Sequence, residues 1–358
     1  MKDMAVLLLG GTGAMGEPLQ KYLLDSGYNV YVTSRKEHKS DSIKYYVGNA
    51  HDKLFLMSVL SAQHFDAIVD FMVYKTDEFA DVIRTILPHT KQYVFISSAR
   101  VYAPSDNLIT EDSPRLLDVC EDKQYLLTDE YALSKARQED ILMSSGFSNW
   151  TIVRPSLTYN TKRLQYPLGE LEEWLPRALN GNSVVVSRDM LDKYTTMSHG
   201  DDVALAISKL ICNEKALGQA VHIAGAKAVT WGDVMSTYAR VLKVERQLDL
   251  KMTYVDDYEK ISKDLGRYYQ IKYARAISRR FDNSKLQSIV GEIDFISAQD
   301  GLIKCLREYL NKVNKIPVPS PRLTAYFDKL AHEKTPLKCF DTLKRKIKYL
   351  VLRYIYFK

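Results

Sequence analysis

The chain has 358 residues, 46% of them apolar, 26% charged and 11% aromatic. These proportions belong to a folded globular protein and exclude a disordered, collagen-like or disulfide-stapled chain. The net charge of +6 sits wholly in residues 337–358, where seven Lys or Arg stand against the single Asp341, so the neutral remainder offers no basic stripe and no nucleic acid is expected as partner.

In chain order, the apolar run Met4–Leu9 ends in glycine. It is too short for the core of a secretion signal and reads as a first strand, Ala5–Leu9. β-Branched runs follow at Asn29–Thr33, Ile43–Val47, Ala67–Phe71, Tyr93–Ser97 and Thr151–Val153, with helical patterns between them such as Asp77–Leu87 and Thr128–Ser145. This alternation predicts a Rossmann-like α/β fold, a doubly wound parallel sheet, over residues 1–155. Residues 156–314 read as a smaller substrate-binding region interleaved with the first, with one helix starting at Thr230, three residues before Asp233, and another over Ala298–Val313. Pro317, Pro319 and Pro321 make 315–321 a stiff linker, and 322–358 read as amphipathic basic helices. No apolar run reaches the roughly 18 residues a membrane span needs. The four cysteines are scattered without a C-x-x-C pair, which suits a reducing cytoplasmic compartment, and the seven histidines show no ligand spacing, so no metal is expected.

Gly10-Gly-Thr-Gly13-Ala14-Met15-Gly16 lies between the first strand and a helical pattern. Gly10 and Gly13 permit a sharp turn and close approach of a pyrophosphate, and Gly16 permits the helix to pack against the strand. The helix amino terminus, entered through Ala14 and Met15, favours the anion. The second strand ends in Ser34-Arg35-Lys36 with no acid before Glu37. An acid there would bond the ribose of NAD. An arginine suits the extra phosphate of NADP, so NADP(H) is favoured over NAD(H).

Three stretches, Gly10-x-x-Gly13-x-x-Gly16, Phe95-Ile-Ser-Ser98-Ala-Arg-Val101-Tyr102 and Tyr131-x-x-x-Lys135, together resemble the extended short-chain dehydrogenase/reductases. Within them the likeness is to the NAD(P)-dependent epimerase/dehydratase family, many of whose members act on nucleotide sugars. It spans about residues 5–310 and takes in Arg154-Pro155 and Asp201-Asp202-Val203-Ala204. The resemblance implies a catalytic Ser98, Tyr131 and Lys135, a bond from Lys135 to the cofactor ribose, and Arg154 and Pro155 on the cofactor side. Physically, a phenol with a pKa of about 10 is a poor base at neutral pH. Lys135, one helical turn from Tyr131, and the nicotinamide charge would favour its phenolate. Ser98, at the end of the fifth strand, would orient the reacting oxygen.

Relatives that dehydrate or decarboxylate carry an acid one or two places after the serine, where this chain has Ala99 and Arg100. The expectation is therefore a nucleotide-sugar 4-epimerase or 4-keto reductase. The family's glycines after Val101-Tyr102 and after Tyr159 are replaced by Ala103 and Asn160, which alters the pocket rather than the hydride chemistry. Tyr102, Arg154, Ser156 and Tyr159 would line the substrate pocket at the sheet's carboxyl edge, with Arg163 and Gln165 in the next loop. His199 reads as a helix cap. A rival reading is a non-catalytic dinucleotide-binding sensor or scaffold of the same fold, associated with RNA as some relatives are. A homodimer is also implied by the family.

In the tail, Phe340, Leu343, Ile347, Leu350, Tyr354 and Phe357 follow steps of three and four, with Lys344, Arg345, Lys348 and Arg353 interleaved. Such a stripe fits an anionic membrane surface as partner for residues 337–358, placing the protein at a membrane's inner face. A helix docked on its own body or on a second subunit would bury the same stripe.

Overall fold

The computed structural model describes residues 4–312 and 316–356, in two compact units. The first holds the chain up to Thr158, Thr196–Ala226 and Arg280–Ile296. Its strands are β1 (Ala5–Leu9), β2 (Asn29–Ser34), β3 (Ile43–Val47), β4 (Phe65–Asp70), β5 (Thr90–Ile96), β6 (Trp150–Pro155) and β7 (Gln219–Ile223). All pair in parallel, in the order β7-β6-β5-β4-β1-β2-β3. Order reverses at β1, which opens a crevice at the carboxyl ends of the strands, where ligands of such sheets bind.

Each face of the sheet is covered, so the central strands are apolar along their whole length rather than alternating. Val6, Leu8, Val32, Val69 and Val153 meet Leu19 and Leu23 of α1 (Gly16–Asp25) together with Val203, Ile207 and Leu210. On the other side, Leu7, Leu9, Ile68, Phe95 and Ile152 pack on Leu56 and Val59 of α2 (Lys53–Ala62), Phe79 and Ile83 of α3 (Thr76–Ile86), and Leu142 of α4 (Tyr131–Met143). The helix Gly200–Leu210 starts at His199, whose ring nitrogen Nδ1 accepts the Asp201 N–H at 3.2 Å, the capping role read from the sequence.

Three differences from the sequence reading have local causes. β4 and β5 begin earlier than their apolar runs because Phe65 pairs with Thr90, so register rather than composition sets their start. The helix carrying Tyr131 begins at that residue, not at Thr128, because Glu130 caps it, accepting the Ala132 N–H at 2.9 Å. β7 lies in Gln219-Ala-Val-His-Ile223, too short and mixed to announce a strand.

The second unit comprises Tyr159–Thr195, Lys227–Arg279 and the chain from Ser297 on. Thr230 and Asp233 form the anticipated capping box at the start of helix Trp231–Arg246. Pro321 opens helix Pro321–Leu330 instead of closing a linker, since its fixed φ suits the first helical position and costs no hydrogen bond there. The anticipated linker's first residue, 315, and Val313, the expected end of the preceding helix, lie outside the described residues. Buried Arg177 joins helix Leu171–Leu179 to Pro321–Leu330 through Asp328 at 2.6 Å. Among the described residues no helix is long and apolar enough to cross a membrane.

Candidate active site

The turn after β1 begins with Gly10 at φ +68°, a left-handed conformation that glycine adopts without strain. Its N–H donates to the Thr33 hydroxyl at 3.0 Å, tying the turn to β2. A side chain at Gly13 would meet no protein atom, so the backbone there faces open space. At Gly16 a Cβ would overlap the Gly11 carbonyl, so what this glycine permits is close approach of the start of α1 to the loop, not the helix–strand contact expected of it. Met15, the N-cap of α1, supplies no side-chain acceptor. In the first turn of α1 the Glu17 N–H donates to the Gly13 carbonyl at 3.0 Å and Pro18 has no N–H, which leaves the Gly16 N–H for a bound pyrophosphate. Gly16→Ala is expected to force this turn apart at a cost of about 1–3 kcal/mol, to be read by urea unfolding, with weaker dinucleotide binding.

Beside the loop lies a cleft of about 300 Å³, lined by Gly10, Thr12, Thr33, Ser34, Arg35, Asn49, His51 and Met72 among others. Arg35 is exposed and has no ion-pair partner among the described residues. Ser34 is partly employed already: it accepts the Lys36 N–H at 3.1 Å and bonds the His38 ring at 3.0 Å. Lys36 is exposed and does not line the cleft. Thr12, Asn49 and His51 were not singled out from the sequence. The signal for the last two is their place just after β3, before Asp52, which caps α2 by accepting the Phe55 N–H at 3.0 Å.

Ser98, Tyr131 and Lys135 gather at the carboxyl end of β5. Ser98 is 9% exposed and lies two residues beyond the strand, at the start of a tight helical turn. Its hydroxyl oxygen accepts the Arg100 N–H at 3.2 Å, which leaves its proton available to donate. The Arg100 guanidinium stands 5.2 Å from the centre of the Tyr131 ring and is ion-paired with Glu130, the cap of α4. Arg100 thus links the serine to the tyrosine. In the sequence, Arg100 marks only the absence of an acid beside Ser98.

Lys135 is 2% exposed, with Nζ 4.4 Å from the Phe95 ring centre and 6.0 Å from that of Tyr131. Burial pushes its pKa down to about 8, against the attraction of Asp70 and Glu139. No hydrogen bond or ion pair to the ammonium occurs among the described residues. A buried ammonium with three free donors fits a cofactor that brings its own hydroxyl acceptors. Asp70, fully buried at the end of β4, accepts from Tyr93 at 2.8 Å, Tyr74 at 3.1 Å and the Met72 N–H at 2.9 Å, and burial raises its pKa.

Other expected site residues are engaged elsewhere. Arg154 is buried and forked onto Glu139 at 2.9 and 2.8 Å, with its third nitrogen on the Tyr102 hydroxyl at 3.0 Å. Tyr102 is completely buried beside His222. These two brace β6 against α4 rather than present polar atoms to a ligand, because a buried arginine must spend its donors internally. Pro155 ends β6 in register with Ile223, and Ser156 bonds Ser198 at 2.6 Å. In the second unit, Tyr159 and Gln165 are completely buried, and Tyr159 packs over Gly301. Arg163 is half exposed and 3.5 Å from Glu170.

Comparison with known proteins gives this geometry a context. The profile of the NAD dependent epimerase/dehydratase family matches residues 6–224. The chain is 27% identical over 251 residues to the chloroplast stem-loop binding protein of 41 kDa b from Arabidopsis thaliana, covering 66% of this chain and 62% of that protein. It is 24% identical over 246 residues to 2'-dehydrokanamycin reductase from Streptomyces kanamyceticus, covering 66% and 65%. The chain thus spans less than two thirds of either curated relative. Among solved structures, dTDP-glucose 4,6-dehydratase from Bacillus anthracis, in complex with NAD, superposes with a TM-score of 0.66 at 18% identity over 86% of this chain and 97% of that one. UDP-glucose 4-epimerase from Bifidobacterium longum, in complex with NAD+ and UDP, gives 0.64 at 18% over 86% and 99%. At such identities the likeness is one of fold.

Proposed function

The chain belongs to the NAD-dependent epimerase/dehydratase family, and from that premise we propose that it catalyses hydride and proton transfer at a hydroxyl- or keto-bearing carbon of a nucleotide-activated sugar. The observation that carries this reading is the buried ammonium of Lys135, with no hydrogen-bond or ion-pair partner among the described residues, one turn from Tyr131, whose ring is linked to Ser98 through Arg100. The residues that would hold a dinucleotide are the Gly10–Gly16 turn, Arg35 and Lys135. When bound, it supplies or accepts the hydride. Ser98 donates to the reacting oxygen and fixes its position. In reduction Tyr131 gives that oxygen its phenolic proton and later recovers one from solvent; in oxidation it takes the hydroxyl proton. The cations of Lys135 and Arg100 favour the phenolate in either direction.

Of the two reactions, keto reduction has the better support. Ala99 and Arg100 supply no acid for dehydration, one relative is named 2'-dehydrokanamycin reductase, and Arg35 suits NADPH, which is consumed each turnover. The test is to identify the dinucleotide that copurifies and to offer it a panel of keto and hydroxy nucleotide sugars. Net oxidation of NADPH supports reduction; tight NAD with exchange of epimers and no net oxidation overturns it in favour of epimerisation. For the cofactor itself, Arg35→Ala is expected to raise the Kd for NADPH about tenfold or more while changing that for NADH less than about twofold, measured by calorimetry. A homodimer is part of the same proposal, as the family resemblance implies.

A second reading, the non-catalytic RNA-associated scaffold, draws on the name of the chloroplast relative. The neutral body and the intact Ser98, Tyr131 and Lys135 weigh against it.

A further inference from the structure

The C-terminal helix Leu343–Val351 and the turn Leu352–Tyr356 that extends it dock in an unexpected orientation. The apolar stripe seen in the sequence is not what holds them. Tyr349, off that stripe, is 2% exposed: its hydroxyl donates to Asp328 at 2.7 Å and its ring lies 5.0 Å from that of Phe340. Asp328 also accepts from the Thr335 N–H at 2.7 Å and from Arg177. Arg353 donates to the carbonyls of Asp328 and Glu333. Of the predicted stripe only Phe340 turns inward, because it is needed against Tyr349; Phe357, like Lys358, lies outside the described residues.

The rest of the stripe faces out. Leu343 is 73% exposed and Ile347 52%, with Leu350 and Tyr354 also exposed; beyond the stripe, Val351, Ile355 (64%) and Tyr356 are exposed too. Around this ridge stand Lys344, Lys346 and Lys348, none with an acidic partner among the described residues, and Arg345, paired with the tail's one acid, Asp341, at 3.1 Å.

We infer that this outward face lies in the plane of an anionic lipid bilayer, with the ridge among the acyl chains and the lysines against the headgroup phosphates. Helical side chains pointing away from the body at such density gain by leaving water, and phosphate charge complements the flanks. Outward tyrosines suit the same interface, where the ring is buried and the hydroxyl stays wet. A second copy is the poorer occupant, because pairing two such faces would bring Lys344 and Lys348 of each against the other's. The inference does not depend on the Ser-Tyr-Lys reading.

Truncation at residue 314 is a poor test, since it would also strip Asp328 and Glu333 from buried Arg177. Substitutions on the exposed face keep Tyr349 and its bonds. In flotation assays the full chain is expected to rise with mixed phosphatidylcholine–phosphatidylglycerol vesicles, not with phosphatidylcholine alone, and to release at high salt. Ile347→Glu with Leu350→Glu, and separately Lys344→Glu with Lys348→Glu, should each weaken partitioning about tenfold or more, with unchanged thermal unfolding. Tyr131→Phe should float like the unaltered chain, which keeps this result separate from the fate of the catalytic proposal. Failure of the unaltered chain to float, or equal flotation by both double variants, overturns the inference. So does a dimer that the glutamates split, by light scattering, in a chain that ignores vesicles.

Discussion

Tyr131→Phe is expected to lower kcat about 10²- to 10⁴-fold, the usual worth of a positioned proton carrier. The ring keeps its place at the start of α4, and Arg100 keeps a ring face to stand over, since neither depends on the hydroxyl. Dinucleotide affinity should therefore change less than about twofold, because no part of the Gly10–Gly16 turn or of the Arg35 cleft is touched. The pair of measurements separates the two functional readings. Loss of turnover with intact binding is the signature of an enzyme. An unaltered biological activity in this variant would mean that the chain works as a dinucleotide-binding scaffold.

Lys135→Met should abolish turnover to a similar extent and yet stabilise the cofactor-free protein. The ammonium's pKa falls from 10.5 in the unfolded chain to about 8 when buried. At pH 7 both states carry the proton, and the folded state bears the whole cost of burying the charge, about 3 kcal/mol at 1.36 kcal/mol per pKa unit. As pH rises from 8 to 10.5 the folded state loses its proton before the unfolded chain does, so this cost is progressively relieved. The unaltered protein should thus gain stability across that window relative to the variant. Below pH 8 the methionine variant should be the more stable by about 3 kcal/mol in urea unfolding, and the gap should close toward pH 10.5. A variant less stable at pH 7 would show that the ammonium is already satisfied within the protein, which removes the main support for a ribose partner. Stability held in reserve against function is a common feature of active sites, where a group is kept ready for a ligand at the expense of the empty state.

Arg100 illustrates how far the candidate site could be read without the fold. Its position two residues after Ser98 was visible, and it signalled only that a carboxylate was absent. That its amide meets Ser98 while its guanidinium lies over Tyr131, 31 residues away in the chain, depends on the pairing with Glu130, which in turn depends on Glu130 capping α4. Arg154 and Tyr102 failed in the opposite sense. Polar residues near a strand's carboxyl end look like pocket walls, but Glu139 from α4 and His222 from β7 close over them. β7 itself was not evident, and without it the burial of Tyr102 was not either.

The parallel sheet and the glycine turn at its switch point were legible in the chain because each is encoded within a single element or by one element meeting the next, whereas Ser98, Tyr131 and Lys135 stood out as a set only through the family resemblance. Continuous apolar runs for strands buried on both faces, and patterns of period three to four for the helices between them, are local signals that do not wait on tertiary contacts. Packing between distant segments settled which charged groups are spent internally and which are left open: Arg154 neutralised by Glu139, Lys135 buried with no hydrogen bond or ion pair among the described residues, and the tail helix held by Tyr349 with its apolar ridge outward. The reason is desolvation. Whether a charge or an apolar face is satisfied depends on what surrounds it in space, and those neighbours come from segments far apart in the chain.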